Sequence, residues 1–126
     1  MRVLIVDDQA PFRNAARTVV GMTDGFEVVA EAQSGEEAVE VAASVAPDLV
    51  LMDINLPGIN GIEAVRRILA ARAETVAFLL STYAIGDLPA DARTCGASAY
   101  INKEEFGPDV LEDLWGAGGD TNWKAS

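Results

Sequence analysis

The sequence predicts an α/β domain built on a doubly wound, five-stranded parallel sheet, and three observations carry that expectation. Short apolar runs recur along the 126 residues, at 3–6 (VLIV), 27–32 (EVVAEA), 49–52 (LVLM), 76–80 (VAFLL) and 99–101 (AYI). Segments with helical periodicity separate them, and β and α elements that alternate in this way form a parallel sheet joined by right-handed crossovers. The first, third and fourth runs are apolar throughout, as strands covered on both faces are. Five such strands imply the order 2-1-3-4-5.

Taken in order, the first strand ends at Val6, and Pro11 stands where a helix begins, its fixed φ and missing N–H suiting the first turn. Phe12, Ala15, Ala16, Val19 and Val20 then fall on one face. After the second strand, Ser34 and Glu37 have capping-box spacing ahead of Ala38, Val41, Ala42 and Val45, and Pro47 stops that helix. A third helix starts near Asn60 and Gly61 and carries Ile62, Val65, Ile68 and Leu69 on one stripe. Gly86 and Pro89 interrupt the segment after the fourth strand, so the fourth helix is expected to be short or irregular, near Asp91 to Cys95. A fifth helix runs from Pro108 through Val110, Leu111, Leu114 and Trp115 to Gly116. Residues 1–116 thus read as one domain and 117–126 (AGGDTNWKAS) as a flexible C-terminal tail, with Trp115 a packing anchor and Trp123 a tail residue.

Composition narrows the function before any motif does. A formal charge of −11, from 20 acidic residues against nine Lys and Arg, argues against nucleic acid and anionic membrane surfaces as direct partners, because phosphate contacts need clustered cations. No basic stretch followed by an apolar run opens the chain and no segment approaches a membrane span, so the expected location is cytoplasmic. The single Cys95 has no cysteine to pair with and no zinc-site companions. The chain has no His, which excludes His-based general base catalysis, His metal ligands and Ser-His or Cys-His dyads within it.

In a parallel sheet every strand points the same way, so residues after each strand gather on one rim. That rim receives Asp7 and Asp8 from the first strand, Asp53 from the third, Ser81 and Thr82 from the fourth, and Lys103 just after the fifth. Each close pair of carboxylates repels by roughly 4 kcal/mol at about 4 Å and an effective dielectric of about 20, so either a pKa rises or a cation enters. Mg²⁺ suits the site, taking hard oxygen ligands from one or two carboxylates together with a phosphate. With Mg²⁺ at Asp7 and Asp8, Asp53 is free to act as a nucleophile on phosphorus, its product oxygens shared between the metal and Lys103 and hydrogen-bonded by Ser81. Singly, each residue has an ordinary role: Asp8 as a helix cap, Asp53 as a brace for the DINLPG loop, Lys103 as a solvated cation. The combination favours phosphate and magnesium.

VDDQ, DINLPGINGIEAVRRI, LLST and GASAYINKE together resemble the receiver domain of two-component response regulators, over about residues 2–116. MRVLIVDDQAPFR is most similar to the receivers of LuxR/NarL-type regulators, whose helix-turn-helix output domain is not among these 126 residues. The resemblance implies a flavodoxin-like (βα)5 fold, phosphoryl transfer to Asp53 from a phosphohistidine of a sensor histidine kinase or phosphotransfer protein, and Mg²⁺ held by Asp8, Asp7 and Asp53 with the backbone carbonyl of Asn55. It places Ser81 at the switch hydroxyl, Lys103 at the phosphate-binding lysine and Tyr100 at the switch aromatic, although a half-buried strand aromatic explains Tyr100 equally well. The switched surface, between the fourth strand and the fifth helix, is expected to meet an output protein, with a homodimer left open. Where the family commonly has Lys-Pro, this chain has Lys103-Glu104. The altered fourth-helix segment leans toward a stand-alone regulator over a receiver cut from a larger one.

Beyond Mg²⁺-dependent self-phosphorylation and slow autodephosphorylation, enzymatic turnover is not expected. Tyr83, two residues past Ser81, and Asn55 are expected to set the lifetime of the phospho-form, Tyr83 by hindering attacking water. Two alternatives remain: a receiver-like interaction module that works without phosphorylation, and an aspartyl-phosphate phosphohydrolase. The second is disfavoured because such enzymes carry an acid where this chain has Asn55.

Overall fold

Side chains alternate across a strand, so a strand apolar at every position needs cover on both faces. The computed structural model, which describes residues 1–120 and Trp123, provides that cover. Its elements are β1 (Arg2–Val6), α1 (Ala10–Gly21), β2 (Glu27–Ala32), α2 (Gly35–Val45), β3 (Leu49–Asp53), α3 (Gly61–Ala71), β4 (Val76–Ser81), β5 (Ala99–Asn102) and α4 (Pro108–Gly116). The strands pair in parallel in the expected order, β2-β1-β3-β4-β5. Leu4, Val6, Val50, Met52 and Leu79 pack on the face that carries α2 and α3. Their neighbours Val3, Ile5, Leu49, Leu51, Phe78 and Leu80 pack on the other, against Ala16 and Val20 of α1 and Leu111 of α4. Among the described residues no helix is long and apolar enough to cross a membrane.

The helix starts follow their sequence signals. Ser34 Oγ accepts the Glu37 N–H at 3.1 Å, while Glu37 Oε1 accepts the Gln33 N–H at 2.6 Å, a reciprocal cap for α2. Asn60 Oδ1 caps α3 by accepting the Glu63 N–H at 2.9 Å. In α1, Phe12, Ala16, Val19 and Val20 turn toward the sheet, whereas Ala15, expected on that face, is exposed because it sits at the edge of the stripe.

The segment after β4 is irregular, as expected, and the C-terminal segment departs from the sequence pattern. The fourth helix does not form as an α-helix: 3₁₀ turns at Ile85–Asp87 and Ala90–Arg93 take its place. Gly86 weakens a helix through its backbone freedom, and Pro89 can only start a turn, not sit inside one. That leaves the α3 face of β4 and β5 short of cover, and Trp123 fills it. The indole is only 2% exposed and packs with Ala92, Cys95 and Ala97, which corrects the expectation of a loose tail at this position. Of the other expected tail residues, 117–120 are described and 121, 122 and 124–126 lie outside the described residues.

Candidate functional site

β1 and β3 are neighbours, with Val6 in register with Met52, so the residues that follow each strand emerge together. Asp7 is fully buried and is held from three sides. Its N–H donates to Ala32 O at 3.1 Å, its Oδ1 accepts the Gln9 N–H at 2.8 Å, and its Oδ2 accepts Lys103 Nζ at 2.6 Å. Asp8, one residue on, is exposed and faces the cleft. Gln9, not Asp8, is the N-cap residue of α1, and its side chain makes no capping bond.

Asp53 closes β3 and is 4% exposed. The first residue of α3 lies directly against it: a Cβ on Gly61 would come 2.0 Å from the Asp53 carbonyl oxygen, so only glycine allows this approach. Lys103 Nζ is 3.4 Å from Asp53 Oδ1 and 4.5 Å from the centre of the Phe12 ring, so one ammonium spans two carboxylates above an aromatic face. Asp7, Asp8 and Asp53 each offer an oxygen within 4.8 Å of the others.

Burial first, and then the neighbouring Asp7 carboxylate, push Asp53 up from the ordinary 3.8 to about 6, while Lys103 pulls it back. An all-oxygen set whose members still repel one another in the presence of a lysine is the donor chemistry of a hard divalent cation, and Mg²⁺ fits it.

The fourth strand supplies the opposite wall. Ser81 is 1% exposed, and its Oγ accepts the Tyr83 N–H at 3.2 Å. Ser81 O accepts both the Lys103 N–H at 2.9 Å and the Tyr100 hydroxyl at 3.1 Å. The Tyr100 hydroxyl also donates to Tyr83 O at 2.5 Å. Tyr83 itself is 41% exposed, and its hydroxyl donates to Asn55 Oδ1 at 3.4 Å, so its ring leans across the mouth of the site. Asp8, Gln9, Asp53, Asn55, Ser81, Thr82 and Lys103 line a cleft of about 280 Å³.

Every residue that the sequence places on the rim is therefore in or beside one cleft. Three supports were not foreseen: Gln9, whose N–H fixes Asp7; Phe12, which underlies Lys103; and Arg13, whose Nη1 donates to Asp7 O at 2.8 Å. Phe12 carries only a helix-stripe signal, and nothing local in the sequence pairs it with a lysine after the last strand.

Residues 3–114 match the family described as the response regulator receiver domain. The response regulator UvrY of Escherichia coli (strain K12) is 38% identical over 114 residues, which are 90% of this chain and 52% of that protein. The transcriptional regulatory protein DegU of Brevibacillus brevis is 36% identical over 112 residues, 89% of this chain and 48% of that protein. The chain thus spans about half the length of these relatives. A LuxR-family two-component response regulator from Aurantimonas sp. SI85-9A1 superposes with a TM-score of 0.82 at 32% identity, over 92% of this chain and 82% of that one. The response regulator domain of Thermotoga maritima CheB gives 0.81 at 30% identity, over 93% and 95%. A sheet in the order 2-1-3-4-5 with an acidic cleft at its rim, matched over nearly its whole length, places this chain in the family of two-component response regulator receiver domains.

Proposed function

We propose that this chain is the phospho-switch of a two-component phosphorelay, accepting a phosphoryl group on Asp53 from a phosphohistidine of a histidine kinase or phosphotransfer protein in the presence of Mg²⁺. The observation that supports this most is the acidic cluster of Asp7, Asp8 and Asp53 with Lys103 set between Asp7 and Asp53 in an open cleft. An Asp53 carboxylate oxygen attacks phosphorus; a P–O bond forms as the donor's P–N bond breaks, and the departing imidazole takes a proton from solvent. Burial strips water from the Asp53 carboxylate and so leaves its oxygen open to attack phosphorus. Lys103 has a short shift to make toward a phosphoryl oxygen while keeping contact with Asp7. The Ser81 hydroxyl accepts the Tyr83 N–H, so its own proton remains to be donated to the phosphoryl group.

Mg²⁺ supplies charge neutralisation across the two reacting groups when bound. Asp8, Asp53 and the backbone carbonyl of Asn55 are the groups that would hold it; Asp7, already engaged by Lys103 and the Gln9 N–H, acts mainly by placing Lys103 and through water. Asn55 offers a carboxamide and no acid, which favours a long-lived phospho-form over hydrolytic turnover. Tyr83, leaning toward Asn55, shields the phosphorus from water. A partner protein then reads the change transmitted through Ser81 and Tyr100 to the surface between β4 and α4.

Incubation with acetyl phosphate and Mg²⁺ should add one phosphoryl mass to the protein. Chelation of the metal, or Asp53→Asn, should abolish it, and an Asp53→Asn protein that labels equally well overturns the assignment.

A further inference from the structure

Trp123 lies outside the cleft, and its indole is held from several sides. Its Nε1–H donates to Ala97 O at 3.2 Å, its ring stacks on Tyr100 with centroids 6.0 Å apart and planes 30° from parallel, and the Arg93 guanidinium lies 4.5 Å from the ring centre. Arg93 Nη1 also donates to Trp123 O at 3.3 Å. The indole occupies ground that an α-helix after β4 would otherwise cover, where the chain offers only 3₁₀ turns. On its other side Tyr100 is tied by its hydroxyl to Ser81 O and Tyr83 O, and the Ser81 side chain lines the cleft. Two contacts therefore separate a wall of the cleft from the indole.

We infer that Trp123 is an anchor carried by the chain itself, coupled to the state of Asp53 through Tyr100, and that phosphorylation loosens it. The inference rests on the assignment of Asp53 as phosphoacceptor. Tyr100 stands between the β4 end and Trp123. When Ser81 moves toward a phosphoryl group on Asp53, its carbonyl moves too, and a hydroxyl bonded to that carbonyl draws the Tyr100 ring away from the indole. With 3₁₀ turns in place of an α-helix after β4, losing the stack leaves Trp123 held by the Ala97 carbonyl, the Asp120 carboxylate and Arg93. Coupling of this kind is reciprocal: if phosphorylation weakens the packing of Trp123, removing Trp123 favours the phosphorylated arrangement.

The chain has two tryptophans, and Trp115 packs edge-on against Phe26, 5.8 Å away on the opposite face of the sheet. Trp115→Phe therefore leaves Trp123 as the sole indole reporter. In that protein, treatment with acetyl phosphate and Mg²⁺, with phosphoryl incorporation followed by mass, should red-shift the emission and strengthen quenching by acrylamide. Incorporation with unchanged emission and quenching overturns the coupling alone. No incorporation overturns the Asp53 assignment and the coupling with it. As a second arm, Trp123→Ala should bind beryllofluoride, a stable phosphoryl mimic, about fivefold more tightly in the presence of Mg²⁺. Equal affinity in a folded Trp123→Ala protein overturns the proposal, and should that variant fail to fold, the Trp115→Phe measurement decides by itself.

Discussion

Two halves of one layer, on the same face of the sheet, are built differently. The half formed by α2 and α3 has both helix starts capped by side chains, at Ser34 and Asn60, and glycines where backbones come too close for any side chain. A Cβ on Gly35 would fall 2.5 Å from Ile59, and one on Gly61 falls against Asp53. The half beyond β4 has two short 3₁₀ turns with no side-chain caps, Tyr83 and Ile85 exposed, and one indole in place of a helix. Asp53, the proposed nucleophile, is thus set on the closely packed part, and Ser81 at the end of β4 adjoins the loosely built one. Segments with few buried contacts are the ones that open and rearrange at low cost, so the difference assigns fixed placement to β3 and α3, and movement to the β4 side.

The largest effect that tests this contrast is a paired glycine substitution. Gly61→Ala should lower unfolding stability by about 1–3 kcal/mol in urea titrations, because the Asp53 backbone cannot yield to the added methyl. Gly86→Ala, in the 3₁₀ segment with nothing within 4 Å of the new carbon, should stay within about 0.5 kcal/mol. Equal losses at the two sites would break the contrast.

Next in size is a pH effect set by Asp53. Its folded value of about 6 lies above the ordinary 3.8, so folding favours the protonated carboxyl. That contribution is full below the unfolded value and is lost as pH rises through the folded one. Metal-free protein should therefore melt lower at about pH 7.5 than at about pH 5, with Mg²⁺ restoring Tm at the higher pH and doing little at the lower. Subtracting the same curves for Asp53→Asn isolates this group from the other carboxylates. A difference curve that is flat with pH would remove the electrostatic account of the fixed half.

The smallest expected effect lies at the mouth of the cleft. Tyr83→Ala should speed loss of the phosphoryl group by about threefold, a barrier change below about 1 kcal/mol. An unchanged rate would show that the ring leaning toward Asn55 does not hinder water.

The framework was legible because its signals are local. Alternation and apolar runs placed all five strands to within a residue or so, and Ser34, Asn60, Pro11 and Pro47 marked helix ends with side chains that act within a turn of their own position. The site was legible as a rim, since parallel strands deliver their following residues to one edge. What was not legible depends on contacts between distant positions. The sequence presents Asp7 and Asp8 as an equivalent pair, but only folding brings Lys103 to 2.6 Å from Asp7 and leaves Asp8 exposed. Trp123 follows a Gly-Gly-Asp stretch with no periodicity, so nothing near it announces a partner at Ala97. The 3₁₀ turns lie between, since Gly86 and Pro89 forecast a broken helix but not what would fill the gap.

The seat of Lys103 over Phe12 has a further consequence. An ammonium above an aromatic face gains roughly 0.5–2 kcal/mol, depending on how dry the contact is. If Asp53 is the phosphoacceptor, a shift of the lysine toward a phosphoryl group would weaken that contact, and α1 would act as a return spring. On loss of the phosphoryl group the ammonium would fall back onto the ring, a reset that needs no partner.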